Sequence, residues 1–360
     1  MPASDLDGLV RRIAALQADG SPCDGPGPWP PGLFPTWRFH ATLPYQRPDT
    51  NIFNTALTVF TLNGFREKVS SESQALVDEI TRRAQLAYPA YRNRHGGPTY
   101  NNYETRPGGQ FQTGHLFHRF DHFRLPDDID DTALIYLTKP HSQEEVLAVK
   151  TLLPQHANGT SRWIKNTLPD YRNLRAYSTW FGKKMAIDFD VCALCNLLML
   201  LFQETLPLTD YDLASLNFIR HIVLSGDYRH HPFDVSHHYP RPALIFYHVA
   251  RLLAAYDPPQ LAGCRERLLT EGPQVLRESG EFFDQVLVST SLRRLGGDAP
   301  KLTEPADFEV QVERYAFFVG CMLTPFERPA LLYRWAQHSF THFRWRCPAH
   351  SLALWGESLV

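Results

Sequence analysis

The stretch LPDDIDDTALIYL, Leu125 to Leu137, decides how the rest of the chain is read. Asp127, Asp128, Asp130 and Asp131 stand within five residues, after a proline and before an apolar run. Pro126 suits the first turn of a helix. Acids at a helix N-terminus accept from free N–H groups and complement the helix dipole. Capping accounts for some of these acids but does not require four in one turn. What capping leaves over binds something or holds a proton.

Related openings recur along the chain. They are NIFNTALTVFTL from Asn51, AIDFDVCALCNLLMLLF from Ala186, YPRPALIFYHVARLL from Tyr239, EFFDQVLVSTSLRRLG from Glu281 and CPAHSLALWGESL from Cys347. Each carries Asp, Asn or Pro near its start and continues as an almost wholly apolar helix. The segments between them are amphipathic. ESQALVDEITRRAQLAY sets Leu76, Val77, Ile80, Ala84 and Leu86 against charged positions, and QEEVLAVKTLLPQH and DLASLNFIRHIVL are alike. CRERLLTEGPQVL is a weaker example. Apolar helices alternating with amphipathic ones mean buried inner and half-exposed outer helices. Sustained alternation and Asn-Gly hairpins are lacking. The expectation is an all-α, single-domain (α/α)6 toroid over residues 37–360. Residues 1–36 precede it as one helix, DLDGLVRRIAALQADG, and a linker, PCDGPGPWPPGLFP, broken by proline and glycine. In a toroid the inner helices start at one rim, so the polar openings surround one mouth of a central cavity.

Composition narrows the function. The 360 residues are 43% hydrophobic and 21% charged, with a net charge of −2, which marks a globular chain and gives nucleic acid nothing to bind. Aromatics reach 12%, consistent with a large core or with a pocket lined by π-faces. The N-terminus lacks the pattern of a signal peptide, and ALCNLLMLLF is too short to span a membrane. Cys23, Cys192, Cys195, Cys264, Cys321 and Cys347 are scattered, not spaced as a disulfide framework. A reducing cytoplasm is the expected location.

Two chemical readings of the acids remain beside capping. Asp127, Asp128 and Asp131 spell DDxxD, the Mg²⁺–diphosphate motif of class I terpene synthases, but no downstream Asn/Ser/Glu partner accompanies it. The other reading is a Brønsted acid. Carboxylates crowded at the edge of an apolar cavity cannot all ionise, so one keeps a proton. Protonating an alkene needs such an acid in a dry, aromatic site.

DIDDTA, Asp128 to Ala133, resembles the DxDD motif of class II terpene cyclases and squalene–hopene-type cyclases, which contain α/α toroid domains. The helix repeats are loosely similar to that superfamily over roughly residues 40–358. The resemblance implies that Asp130, the middle acid, donates the proton and that Asp128 and Asp131 tune and orient it. It implies a C15 or C20 prenyl diphosphate, or a prenylated arene, as substrate, with no tightly bound cofactor and with Mg²⁺ arriving, if at all, with a diphosphate. The chain departs from the family in having length for one toroid and no evident QW motif. A homodimer or a membrane surface could cover the mouth instead.

Other residues are candidates for the same cavity. YSTWFGKK offers Tyr177, Trp180 and Phe181 to the pocket, with Lys183 and Lys184 toward a diphosphate or as a solvated pair. TYNNYETRPGG offers Tyr100, Asn101, Asn102 and Tyr103 as a structured loop and Arg106 as an anion contact. FYHVARLL adds Tyr247. In DYRHHPFDVSHHYP, His230, His231, His237 and His238 form a polar rim, one of them within reach of Asp130. Protein prenyltransferase β-subunits hold zinc on the same toroid through Asp, Cys and His, and Asp190, Cys192 and His248 offer that set here. Their alternative role is in the core.

Overall fold

Where the polar openings stand in the sequence, apolar helices begin in the computed structural model, which describes residues 5–19, 29–106, 124–182 and 185–360. In chain order the elements are α1 (Leu6–Leu16), β1 (Thr36–His40), β2 (Gln46–Asp49), α2 (Phe53–Phe65), α3 (Ser71–Ala87), α4 (Ile129–Thr138) and α5 (Gln143–His156). Then come α6 (Val191–Gln203), α7 (Asp210–Ser225), the one-turn α8 (Asp227–His230) and α9 (Pro232–Val235), α10 (Pro242–Ala255), α11 (Cys264–Glu278) and α12 (Phe282–Arg294). The chain closes with α13 (Phe308–Arg314), β3 (Ala316–Cys321), α14 (Ala330–Ala336), β4 (His342–Arg346) and α15 (Pro348–Leu359).

The helices α2, α4, α6, α10, α12 and α15 pack each on the next, and α15 returns to α2, so the six close a ring. Their sequences explain why they lie inside. Every side chain of α6 from Val191 to Leu201 is buried. Each buried leucine there contributes roughly 1.5–3 kcal/mol of burial free energy. The outer helices bury a stripe only, as α3 does with Ser73, Val77, Ile80 and Ala84. Helix α3 backs α2, α7 backs α6, α11 backs α10 and α12, and α1 and α13 back α15. Capping boxes start α5 (Ser142 with Glu145) and α7 (Thr209 with Asp212).

The all-α expectation is corrected by a four-stranded antiparallel sheet in the order β2-β1-β4-β3. Its signal is weak for physical reasons. In β1 the buried positions are Thr36, Arg38 and His40, while Trp37 and Phe39 are only half-buried, so the polarity alternates in reverse. Strand β2 carries Pro48, tolerated at a sheet edge. The central pairing joins Trp37 to Arg346, from opposite ends of the sequence, where no turn can announce it. The sheet leans on the polar end of the ring. Phe318 of β3 lies 5.1 Å from the ring of Phe53, and the Val319 N–H donates to the His238 carbonyl over 3.0 Å.

Among the described residues no helix is long and apolar enough to cross a membrane. The five described cysteines, Cys192, Cys195, Cys264, Cys321 and Cys347, are all free and buried.

Candidate active site

Three loops preceding successive inner helices are stitched together by single β-bridges. Tyr100 bridges to Asp128, Asp128 to Trp180, and Asp190 to Ser236. The stitching gathers the acidic cluster before α4, the segment Thr179–Asp190 before α6 and the segment Ser236–Tyr239 before α10. Above them lies a cavity of about 680 Å³. Phe53, Trp180, Phe318, Met322 and Phe326 give it apolar walls, and Asp128, Asp130, Asp131 and His238 stand on one side. Strand β3 and the segment after it supply one wall of this cavity from within the chain.

The acids of LPDDIDDTALIYL divide into three roles. Asp127 is a structural anchor: Oδ1 accepts from Asn101, and Oδ2 accepts from Asn93 and Thr99. It is buried and does not line the cavity, so DDxxD does not converge on a metal. Asp128 caps α4, its Oδ1 accepting from the N–H groups of Asp130 and Asp131 at 3.0 and 2.7 Å. Burial drives Asp128 up to about 7, against its hydrogen bond from Asp131. Burial and the neighbouring Asp128 charge push Asp131 well above the carboxylate range, so this pair retains a proton. The Oδ1 of Asp131 has no hydrogen-bond partner among the described residues.

Asp130 is built differently. Its Oδ1 accepts from Asn196 Nδ2 at 2.6 Å, and its Oδ2 accepts from the Tyr239 hydroxyl. Burial drives Asp130 up to about 6, and those two hydrogen bonds and the His238 charge restrain the rise. It is therefore the strongest acid of the three. Donors are already in place for the carboxylate that forms when its proton leaves.

Behind it sits a charged triplet. Asp188 accepts from His237 at 2.5 Å, from His238 at 3.2 Å and from Trp180 Nε1 at 3.1 Å. Burial pushes Asp188 up, but the charges and hydrogen bonds of the two histidines outweigh it and hold the carboxyl below its usual range. Burial pushes His238 down, but Asp188 lifts it to about 9, so its imidazole is charged at neutral pH. The His238 ring stacks on Phe318 and meets Trp180 edge-on.

Several expected residues fall elsewhere. The Tyr177 hydroxyl donates to Asp212 beneath α7, Phe181 packs against His156, and Tyr247 donates to Glu357 inside the ring. None of the three lines the cavity. Arg106 is exposed and bonded to the Arg94 carbonyl. Asn102 lines the cavity, whereas Tyr100 and Tyr103 brace the loop through Tyr136 and Asp49. His230 and His231 line a separate cavity of about 360 Å³. Lys183 and Lys184 lie outside the described residues. The zinc set is not assembled. Asp190 spends both oxygens on the Cys192, Ala193 and His238 N–H groups and the Ser236 hydroxyl, and burial holds the Cys192 thiol protonated. Among the described residues no three His, Cys, Asp or Glu side chains gather to hold a metal ion.

None of His230, His231, His237 and His238 hydrogen-bonds Asp130; Tyr239 and Asn196 take that place. Both had a signal. Tyr239 directly follows the histidine pair, and Asn196 is the one polar interruption of ALCNLLMLLF. No protein-family model, curated protein or solved structure matches this chain.

Proposed function

We propose that the chain is a class II-type terpene cyclase on an (α/α)6 toroid, with Asp130 as the general acid. The observation that carries the reading is Asp130 itself. It is a buried carboxyl on the wall of an aromatic cavity, proton-holding by burial yet supplied with two donors for its conjugate base. The π pair of the substrate's terminal double bond forms a new C–H bond with the Asp130 proton. The O–H bond breaks and leaves its electron pair on the carboxylate. The tertiary cation is attacked by the next double bond, the ring closes, and the cyclised cation loses a proton, which returns through water to the Asp130 carboxylate. Trp180, Phe53 and Phe318 offer faces to the migrating charge. The donors from Tyr239 and Asn196 strengthen as Asp130 becomes charged, which lowers the barrier to proton departure.

A C15 or C20 prenyl diphosphate, or a prenylated arene, suits a cavity of about 680 Å³ with apolar walls. Arg124 lines it too and is the cation a diphosphate would meet. Mg²⁺ would accompany a diphosphate, and among the described residues no three His, Cys, Asp or Glu side chains gather to hold it. The mouth is read as turned toward a lipid surface, and the buried free thiols suit a reducing cytoplasm.

Incubation with farnesyl and geranylgeranyl diphosphate, followed by phosphatase treatment and product analysis, tests the reading. Cyclic alcohols from wild type and none from Asp130→Asn are expected. Absence of product from every prenyl substrate would overturn it in favour of a ligand-binding protein.

A further inference from the structure

Asn196 in α6 and Arg251 in α10 are polar side chains inside buried inner helices that serve no cap. Asn196 is the only polar residue between Val191 and Phe202 in α6 apart from its cysteines, and Arg251 is the only Asp, Glu, Lys or Arg in α10. Both are buried. Arg251 Nη2 donates to Asn196 Oδ1, and Asn196 Nδ2 donates to Asp130 Oδ1 over 2.6 Å. The guanidinium lies over the rings of Phe60 and Tyr247, at 4.6 and 5.2 Å, and its Nε and Nη1 find no acceptor among the described residues. A buried guanidinium so poorly satisfied is expensive. An apolar side chain would stabilise the ring better, so the charge has another use.

The chemistry of the amide shows what that use is. An asparagine beside Asp130 can turn either way. With Nδ2 toward Asp130 it donates and favours the carboxylate. With Oδ1 toward Asp130 it accepts and favours the protonated acid. Arginine has donors only, so it accepts just one of these orientations: Oδ1 toward itself and Nδ2 toward Asp130. A guanidinium in direct contact with Asp130 would fix it as a carboxylate and leave no proton to give. One amide in between passes on the orientation without the ion pair.

We propose that Arg251 is a positioning residue for Asp130, locking the Asn196 amide so that it stabilises the carboxylate left by proton transfer and not the acid before it. The inference rests on the cyclase reading for the use of the proton, but the lock itself does not. The other titratable and charged groups facing Asp130 are Asp128 and Asp131 around the start of α4, Asp190 at the cap of α6, Cys192 and Cys195 of α6, and His238 and Tyr239 before α10. None of them is altered in the test.

The test is a carboxyl ¹³C NMR titration of Asp130 in the full chain without substrate. Arg251→Met keeps the bulk and removes the donors. The Asp130 midpoint is expected to rise by about one pH unit, the size of a lost hydrogen-bonded neighbour, and Arg251→Lys to restore most of it. Circular dichroism confirms folding. Asn196→Leu should raise the midpoint too, and adding Arg251→Met to it should add little, because Arg251 acts through Asn196. If Arg251→Met fails to fold, Arg251→Lys and Asn196→Leu decide the matter. An unchanged midpoint in a folded Arg251→Met or Asn196→Leu protein, or additive shifts in the double variant, overturns the proposal. With prenyl diphosphate, Arg251→Met should lower kcat about tenfold at little cost in KM, and move the alkaline limb upward. A titration that shifts in a protein that makes no product would instead sink the cyclase reading and leave the lock standing.

Discussion

The three cavity acids differ in strength, and that difference predicts how each substitution acts. Asp130 must be protonated to work, so activity is present below about pH 6 and is lost as pH rises through its folded value. Burial and mutual charge hold a proton on the Asp128–Asp131 pair to higher pH, so its ionisation deepens the loss further up the alkaline side. Asp130→Asn should lower kcat by about 10²–10⁴, the usual share of a general acid. Asp131→Asn should cost about tenfold or less, because an amide at that place still donates to Asp128 as the protonated acid does. Equal losses in the two variants would move the proton donor to Asp131. The acid cluster could be read from sequence because carboxylates rarely crowd without reason. The partners of Asp130 could not, since Tyr239 and Asn196 arrive from other helices and their signals are single residues. Asp127 misleads in the opposite direction. The DxDD resemblance gives it no role, yet it accepts three hydrogen bonds in a buried loop.

Between elements, the charged triplet joins the loop before α6 to the loop before α10. The folded His238 has its proton affinity raised to about 9, above its unfolded value near 6.5. A raised base contributes stability fully present below the unfolded value and lost as pH rises through the folded one. Wild type should therefore lose stability between about pH 7 and 9.5 in urea titrations. Asp188→Asn removes the anion, should cost roughly 3–5 kcal/mol at pH 7, and should abolish that decline. The same slope in variant and wild type would show that Asp188 is not its source. A second joint is the cap of α6. Asp190→Ala strips acceptors from two helix N–H groups and from the Ser236 hydroxyl and His238 N–H, and should destabilise by more than the roughly 1 kcal/mol of an ordinary cap. An effect at or below that size would mean that water replaces the acceptor freely. The helices carrying these joints were legible because burial of a whole helix leaves an unbroken apolar run. The strands were not: the inward positions of β1 are polar, and its central partner β4 lies some three hundred residues away.

At the scale of the whole molecule, the open question in the sequence was what covers the mouth of one ring. Strand β3 closes one side, and the segment from Met322 to Phe326 forms the rim. That rim is not finished for water. Met322 and Phe326 line the cavity and are also 54% and 47% exposed, and Leu331, Trp335 and Phe340 are exposed on the same stretch of chain. Leu331 and Trp335 share one face of α14, with Tyr333 and Ala336 turned inward. Arg328, Arg334 and Arg344 accompany them in a protein of net charge −2, and the single acid within residues 322–345, Glu327, is paired with Lys165. Exposed aromatics with arginines match an anionic lipid surface, where each cation near the headgroups adds about 1 kcal/mol. The chain should therefore co-sediment with vesicles containing phosphatidylglycerol, less so with pure phosphatidylcholine, and release as salt is raised. Leu331→Ser with Trp335→Ser should weaken binding without changing the unfolding midpoint, since both side chains already face solvent. Equal binding to the two kinds of vesicle would remove the arginines from the account. No binding to either, with a concentration-dependent dimer in solution, would assign the rim to a second copy of the chain.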